Sequence, residues 1–586
     1  MRASLLFSAT VSALGLVLGL GCGDEFTSGP QPTGGSGGTT AAGTPTGAGG
    51  QAGSGGSDLL DLGEACTAET QCSSGFCVDG YCCENACDET CRVCDRAVAD
   101  AVDGQCRPAV AGEDPADECG DGVCDGAAGC ALGTELFAQA CGDFQATGNQ
   151  LALDVAVDSQ GDLIVVGYYT GDLSIGARSL PASNSGSRDA FIAKVDGDSY
   201  TTLWAIGVGG AGDDDGRAVT VDGSDNIYVV GAYQQAFGMD PLNPQDLSKR
   251  LPDAGSTQNA FIASYDPAGN HRWSHGAGSS ATNTRGNGVA VLSDGDLVYV
   301  GDYTGATSVG GTPLLDAGTT ENIFVARLQS SDGGHQHSVG YGGTGKDVAT
   351  AVAATSDGSA WVAGYFAVAL DFTPSGSGGE LNTSTTPDAF LAKLQINTSS
   401  FEYLASQQFA GAGSQTAFSV AVNTHDEPHV IGEYDPEINI DGTVTNGQGS
   451  PDVFVARVSA DGQNVIWAKH VGDGESVSGL DIDCDPQGMI YVTGDFAGQI
   501  DLGGGPLLTN GSGDAFIAKY HANGTHLWSR SYGNGELQSG LALAPDRQHG
   551  VWLTGKLLDA GPVSFGQAGA LSGTSGVDFF LLRIGR

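Results

Sequence analysis

The sequence predicts an all-β fold, a seven-bladed propeller of four-stranded blades, and three observations carry that expectation. A six-residue stretch recurs seven times, each copy follows a hairpin-like run of alternating apolar residues, and a stray strand before the array matches one missing from its end. The copies are Asp189-Ala-Phe-Ile-Ala-Lys194, Asn259-Ala-Phe-Ile-Ala-Ser264, Asn322-Ile-Phe-Val-Ala-Arg327, Asp388-Ala-Phe-Leu-Ala-Lys393, Asp452-Val-Phe-Val-Ala-Arg457, Asp514-Ala-Phe-Ile-Ala-Lys519 and Asp578-Phe-Phe-Leu-Leu-Arg583. Their phenylalanines, read as Phe191, Phe261, Phe324, Phe390, Phe454, Phe516 and Phe579, lie 62 to 70 residues apart. A fixed period of that size marks an array of similar units.

Within a unit the first two strands read as a hairpin: Val155-Ala-Val-Asp158, a turn at Ser159-Gln-Gly161-Asp162, then Leu163-Ile-Val-Val-Gly167-Tyr-Tyr169. Gly, Asn and Asp tolerate the positive φ such turns need. The glycine closing the second strand, Gly167, Gly231, Gly301, Gly364, Gly432, Gly494 and Gly555, is present in all seven units. That regularity points to a bulge or a close backbone approach. A variable loop then leads to the Asp-Ala-Phe strand, and a fourth strand follows at Leu203-Trp-Ala205, His271-Arg-Trp-Ser274, Val465-Ile-Trp-Ala468 and Leu527-Trp-Ser529. Four strands per unit without helical periodicity describe a propeller blade. After Arg583 too little chain follows for a fourth strand, while Leu136-Phe-Ala-Gln-Ala-Cys-Gly142 fits Leu203-Trp-Ala-Ile-Gly-Val-Gly209, with Phe137 in place of Trp204. The N-terminal strand is therefore expected to complete the seventh blade and remove an open edge.

Gly216-Arg-Ala-Val-Thr-Val-Asp222 through Asn226-Ile-Tyr-Val-Val-Gly231, and Gly494-Asp-Phe through Asp501-Leu-Gly503, resemble the bacterial β-propeller repeats called SBBP repeats. The resemblance covers residues 134–586. It implies an extracytoplasmic binding or scaffolding domain with no shared catalytic motif. Fold alone does not give function.

The chain before the array divides into three segments. Arg2 and an apolar run to Leu20 have the form of a secretory signal over residues 1–21, too short for a membrane span. Leu18-Gly-Leu-Gly-Cys22 resembles the lipobox of bacterial lipoproteins, although Gly19 stands where Leu is usual. The resemblance implies lipidation of Cys22 and, with Gly23 following, an outer-membrane or cell-surface address; the alternative is an ordinary signal peptide cut elsewhere. Residues 22–60 are Gly, Ser, Thr, Pro and Ala with few large apolar residues, a composition that favours a flexible tether. Residues 61–133 hold twelve cysteines: Cys66, Cys72, Cys77, Cys82, Cys83, Cys87, Cys91, Cys94, Cys106, Cys119, Cys124 and Cys130. An even number behind an export signal, among few Leu, Ile, Val and Phe, predicts a disulfide-rich module of undetermined connectivity. It looks like the small knotted modules in front of extracellular domains. Zinc is the rival, since Cys91-Arg-Val-Cys94 has ligand spacing, but no second Cys-x-x-Cys pair partners it.

With 69 Asp plus Glu against 23 Lys plus Arg, the net charge is −46. Such a surface repels nucleic acid and anionic membrane, whose binding needs clustered cations. The acid or amide before each phenylalanine strand, Asp189, Asn259, Asn322, Asp388, Asp452, Asp514 and Asp578, is expected to accept backbone N–H bonds at the strand entry. Lys194, Arg327, Lys393, Arg457, Lys519 and Arg583 are expected at the opposite face, keeping blade edges soluble or meeting an anionic glycan. Asp213-Asp-Asp-Gly216 is an incomplete calcium loop. His335 and His337, with His337 at the place of Trp204, and His425 and His429 are not expected to bind metal. No Gly-x-Ser-x-Gly, His-Glu-x-x-His or phosphate-cradling loop occurs. Cys141 and Cys484 fall in neighbouring blades, where a clasp between them is an open alternative.

The expectation is a non-enzymatic, exported and lipid-anchored monomer. It needs no metal or cofactor, reaches the membrane through its N-terminal lipid, and uses its propeller to bind an envelope protein or glycan, for adhesion or scaffolding. The long loops between second and third strands, such as 233–257 and 366–386, are expected to make the contacts. One alternative is a propeller enzyme, a hydrolase or lyase, whose site lines one mouth of the channel. In another, the propeller only spaces the cysteine-rich module from a further protein.

Overall fold

The computed structural model describes residues 133–585, except loop stretches 144–147, 183–185, 241–248, 253–254, 256, 315–317, 374–377, 383–385, 448–450, 473–474, 510, 548–549, 559–560 and 574–575. It also describes three two-stranded ladders upstream: Cys77–Val78 with Tyr81–Cys82, Arg92–Val93 with Arg107–Pro108, and Val123–Cys124 with Cys130–Ala131. The signal, Cys22, the tether and the side chains of the twelve crowded cysteines lie outside the described residues. No described helix is long and apolar enough to cross a membrane.

Seven antiparallel sheets make the ring. Their first strands are Gln150–Val157, Asp215–Val221, Thr284–Val291, Asp347–Ala354, Gly413–Val422, Val477–Cys484 and Ser539–Pro545, in blades 1 to 7. Each first strand packs beside the next, and that of blade 7 packs beside that of blade 1, so the ring closes around an axis. Blade 1 continues outward through Leu163–Tyr169, Asp189–Val195 and Thr202–Val208, and the order is the same elsewhere. Blade 5 adds a fifth strand, Thr443–Asn446, on an extended second strand, Pro428–Ile440.

Alternation of apolar residues builds these sheets, but both faces of a blade are covered by neighbouring blades, so the inner strands read as nearly unbroken apolar runs. Leu163–Tyr169 and Asn322–Leu328 are buried along almost their whole length. The core lies between blades: Val155, Leu163 and Phe191 of blade 1 cluster with Trp552, Phe579 and Leu581 of blade 7.

The ring closes as the sequence predicts. Glu135–Cys141 pairs with Val577–Ile584 as the fourth strand of blade 7, and Phe137 stands opposite Arg583 as Trp204 stands opposite Lys194. Where other blades use an indole, Phe137 stacks on Tyr200 of blade 1 at 4.7 Å. The register corrects one reading. Phe580, not Phe579, faces Gly555 as Phe191 faces Gly167, so Phe580 is the repeat phenylalanine of blade 7.

Every first strand carries one extra residue: Leu153, Arg217, Asn287, Thr350, Phe418, Leu480 or Leu541. The invariant glycine lies beside this bulge. A Cβ on Gly167 would overlap the Leu151 carbonyl oxygen, and one on Gly301 the Arg285 carbonyl oxygen. Close approach, one of the two sequence readings, is thus why no side chain fits there.

Candidate functional site

Most residues singled out from the repeats hold the ring together. Five of the repeat cations are buried and Arg457 is half-buried, instead of standing at soluble edges. Lys194 bonds Asp158 at 2.6 Å and Asp162 at 3.1 Å, both in its own first hairpin. Arg327 pairs with Asp294 and Asp296 and donates to the Ile396 carbonyl of the next blade at 2.6 Å. Lys393 pairs with Asp357 and reaches the Ala460 carbonyl, Arg457 pairs with Glu427, and Arg583 with Asp546. Lys519 lies 5.1 Å over the Tyr491 ring. The strand end that sequence spacing placed at a surface is roofed by the turn of the adjoining blade. Blade 2 has Ser264 at this position, and Arg272 of its fourth strand fills the gap, donating to the Ser264 hydroxyl at 2.6 Å.

The acids and amides before the phenylalanine strands are structural too. Asp189, Asn322 and Asp514 press against the glycines ending their own fourth strands, Gly209, Gly342 and Gly533. The triple acid splits among separate partners. Asp213 pairs with Arg188, Asp214 accepts from Gly210 and Gln234 N–H, and Asp215 pairs with Arg217. Among the described residues no group of three or more His, Cys, Asp or Glu is placed to hold a metal. His337 packs edge-on against Phe401, while burial holds His429 at about 3, well below the ordinary imidazole value. Cys141 is a free, buried thiol, so the clasp with Cys484 is not formed.

The loops expected to carry recognition contain a second regularity. In six blades they hold a short hairpin, such as Leu173–Ile175 with Arg178–Leu180 or Gln499–Asp501 with Pro506–Leu508. The hairpins bury Ile175, Phe237, Leu370, Ile438, Ile500 and Val563. Three of them bridge to the preceding blade, at Gly142 with Ser174, Gly209 with Gly238 and Ala410 with Asn439. Much of each loop is therefore a clamp.

One level of the ring escapes these structural duties. The residue after the invariant glycine lies near the end of the second strand, where the chain leads into the long loop, and in blades 1 to 7 it is Tyr168, Ala232, Asp302, Tyr365, Glu433, Asp495 and Lys556. In blades 2 to 4 the charges around this level cancel among themselves. Arg217 bonds Asp215 at 2.7 Å and Asn287 at 3.2 Å; Asn287 bonds Asp302 at 2.8 Å; Arg285 bonds Asp302 at 2.7 Å and reaches Glu321, which also meets Lys346. Lys346 lies 5.7 Å over the Tyr365 ring. In blade 1, Arg188 covers Tyr168 at 5.0 Å.

Blades 5 to 7 are different. Glu433 accepts from the Ser478 hydroxyl of blade 6, and Asp495 from the Ser539 hydroxyl of blade 7. In these blades the cation at this level is Lys556, register partner of Ser539, and among the described residues no carboxylate forms an ion pair with its amine. All three side chains are half-buried. Desolvation, with the Asp495 charge adding to it, pushes Glu433 up to about 7. Desolvation also pushes Asp495 up to about 6, against Ser539 and Lys556, which lower it. Burial lowers the Lys556 amine despite the nearby carboxyl, whereas Lys346 and Lys194 are raised, their nearby acids outweighing burial. Two acids raised by burial and an amine lowered by it thus occupy this level in blades 5 to 7. Such perturbed groups mark candidate functional sites.

No family model matches the chain. It is 23% identical over 511 residues to an uncharacterized WD repeat-containing protein of Acanthamoeba polyphaga mimivirus, over 70% of this chain and 35% of that protein. It is 29% identical over 288 residues to the regulatory protein FlaEY of Caulobacter vibrioides, over 47% of this chain and 28% of that protein. The chain thus spans about a third of the length of these curated relatives. Among solved structures, the Dos1 propeller shares 10% identity at a TM-score of 0.37, over 78% of this chain and 95% of that one. The quinohemoprotein alcohol dehydrogenase of Comamonas testosteroni shares 10% at 0.34, over 76% of each chain.

Proposed function

We propose that this chain is an exported, lipid-anchored envelope protein whose propeller binds a ligand through the loop-face mouth, in the manner that the SBBP-type resemblance implies. The observation that carries the reading is the asymmetry of the mouth, held by ion pairs and cation–ring contacts in blades 1 to 4 and, among the described residues, without an ion pair at Glu433, Asp495 and Lys556. Half-buried polar groups left without full partners gain most from a ligand that completes them. The clamped hairpins hold the mouth rigid, which lowers the ordering cost of binding. Glycan and envelope-protein pull-downs with fragment 133–586 test the reading: capture by wild type, weakened at least tenfold in Glu433→Gln/Asp495→Asn, supports it. Equal capture by both proteins would place binding elsewhere.

Residues 1–21 serve here as the export signal, Cys22 as the lipidated residue, 22–60 as the tether and 61–133 as a disulfide-rich module. Cys22→Ala is expected to release the protein from membranes; unchanged fractionation would remove the anchor from the proposal. A second reading, a hydrolase or lyase, is favoured by the acid pair at about 7 and about 6, values suited to proton transfer near neutrality. Turnover of a substrate panel that is lost in Glu433→Gln would establish it.

A further inference from the structure

We propose that the loop hairpins of blades 4, 5 and 6 form a docking surface for another protein, through a segment of that partner that carries lysines or arginines beside aliphatic side chains. This goes beyond the mouth reading and does not depend on it.

Three exposed aliphatic residues mark the surface. Val368 is 39% exposed, Val444 52% and Leu508 63%, and they lie between the second and third strands of three consecutive blades, so all three stand on the loop face. The exposed Leu136, Leu203, Leu404 and Ile466 lie instead in the first half of outermost strands, toward the opposite face. The hairpins bury one side and present the other. In blade 5 Ile438 and Ile440 are buried while Val444 stands opposite Asn439; in blade 6 Ile500 is buried opposite Leu507, and Leu508 stands opposite Gln499. The blade 5 hairpin is also fixed to blade 4 by the Ala410–Asn439 bridge, which spares a partner the cost of ordering it.

Val368 argues against accident. Its φ is 70°, a left-handed backbone that is costly for a β-branched residue, and the matching positions two residues beyond the second strand are Gly305 at 63° in blade 3 and Gly498 at 73° in blade 6. A strained conformation kept where glycine would serve, for a side chain that the fold leaves exposed, points to a contact made outside the chain.

Charge sets the chemistry of the partner. Residues 367–387, 435–451 and 497–513 hold six acids and no Lys or Arg, whereas the corresponding loops of blades 1 and 2 carry Arg178, Lys249 and Arg250. In blade 4 Asp371 and Glu380 stand directly opposite each other across the hairpin, and among the described residues neither forms an ion pair. Like charges so placed repel. A cationic side chain laid against them relieves that repulsion, and the exposed Asp441 and Asp501 extend the acidic character over blades 5 and 6. Nucleic acid is repelled by the same charges. A basic segment with aliphatic side chains satisfies both the apolar and the acidic parts of the surface.

The test uses the full chain and a fluorescein-labelled peptide of alternating lysine and leucine, read by anisotropy. Wild type is expected to bind it, less tightly as salt is added. The lysine–serine counterpart is expected to bind roughly tenfold more weakly, since burying a few methyl and methylene groups accounts for that factor. Val444→Ser/Leu508→Ser is expected to lose roughly the same tenfold, and Leu203→Ser to lose nothing. Val368→Gly is expected to weaken binding while raising the melting temperature, because glycine removes the contact and the strained φ together. Asp371→Asn/Glu380→Gln is expected to weaken binding and flatten its salt dependence. Equal affinity in wild type and Val444→Ser/Leu508→Ser, or an equal loss in Leu203→Ser, would reduce the attraction to net charge and overturn the proposal. A dimer seen by light scattering that Val444→Ser/Leu508→Ser dissolves would give the surface to a second copy of the chain and also overturn it. Either failure leaves the mouth reading to its own test.

Discussion

The repeat cations show how a surface-seeming charge becomes a strut. Lys194 is buried between Asp158 and Asp162, so removing it leaves acids without their counter-ion. Lys194→Met is expected to cost about 3–5 kcal/mol, the range for breaking a buried pair from one side, measured by urea denaturation. Asp483 is the reverse case. It lies buried in the first strand of blade 6, accepts from the Cys484 N–H, and is pushed well above the usual carboxylate range by burial and by Asp481. Ala156, Ala290, Ala353, Ala421 and Ala544 fill that level in five other blades. A carboxyl whose folded pKa is raised holds its proton more tightly in the native state, so the charge opposes folding only as pH climbs. Asp483→Ala is accordingly expected to raise stability by about 1–3 kcal/mol at pH 8 and by little at pH 5, read from melting curves at both values.

At the scale of the element, the strand pairings were legible because hydrophobic period, turn chemistry and repetition agreed. The borrowed strand was legible because Phe137 kept the place of Trp204. The invariant glycine announced a close approach, and Gly364→Ala, whose Cβ would overlap the Val348 carbonyl and crowd the Phe390 ring, is expected to lose about 1–3 kcal/mol or more. Gly223→Ala, where nothing lies within 4 Å, is the control, expected within about 0.5 kcal/mol of wild type. The burial of the cations was not legible, since the carbonyls of Ile396 and Ala460 that cover Arg327 and Lys393 come from the following blade, nearly seventy residues away. The mouth was not legible because its residues differ from blade to blade. A usable signal existed: the position after the invariant glycine runs Tyr, Ala, Asp, Tyr, Glu, Asp, Lys between two positions that hardly vary. Variation flanked by constancy marks where a repeat is free to specialise.

Over the whole molecule, acids raised by burial accumulate. Asp214 stands at about 8, Asp189, Asp347, Asp481 and Glu433 at about 7, and Asp154 well above its usual range. Asp154 and Asp481 cap the inner edge of the next blade, accepting from Val219 N–H at 2.7 Å and Leu543 N–H at 2.8 Å. Each such group favours the folded state below its unfolded pKa near 4, and the advantage drains away as pH rises through the folded values. The net charge of −46 pushes the same way through self-repulsion. The ring is therefore expected to melt several degrees higher at pH 5 than at pH 8, with added salt recovering part of the difference at pH 8. Scanning calorimetry across that range checks it; a melting point that rises from pH 5 to pH 8 would contradict the burial of these acids.

The seventh sheet joins strand 135–141 to strand 577–584, two pieces made at opposite ends of synthesis of the ring. Six blades can assemble as they emerge, but the last must wait some four hundred residues for its partner, a loop closure whose entropy is met only at the finish. A prematurely terminated chain then displays an unmatched strand edge, the kind of surface that chaperones and proteases engage. Sewing the first strand to the last makes the native ring a receipt for translation of all seven blades.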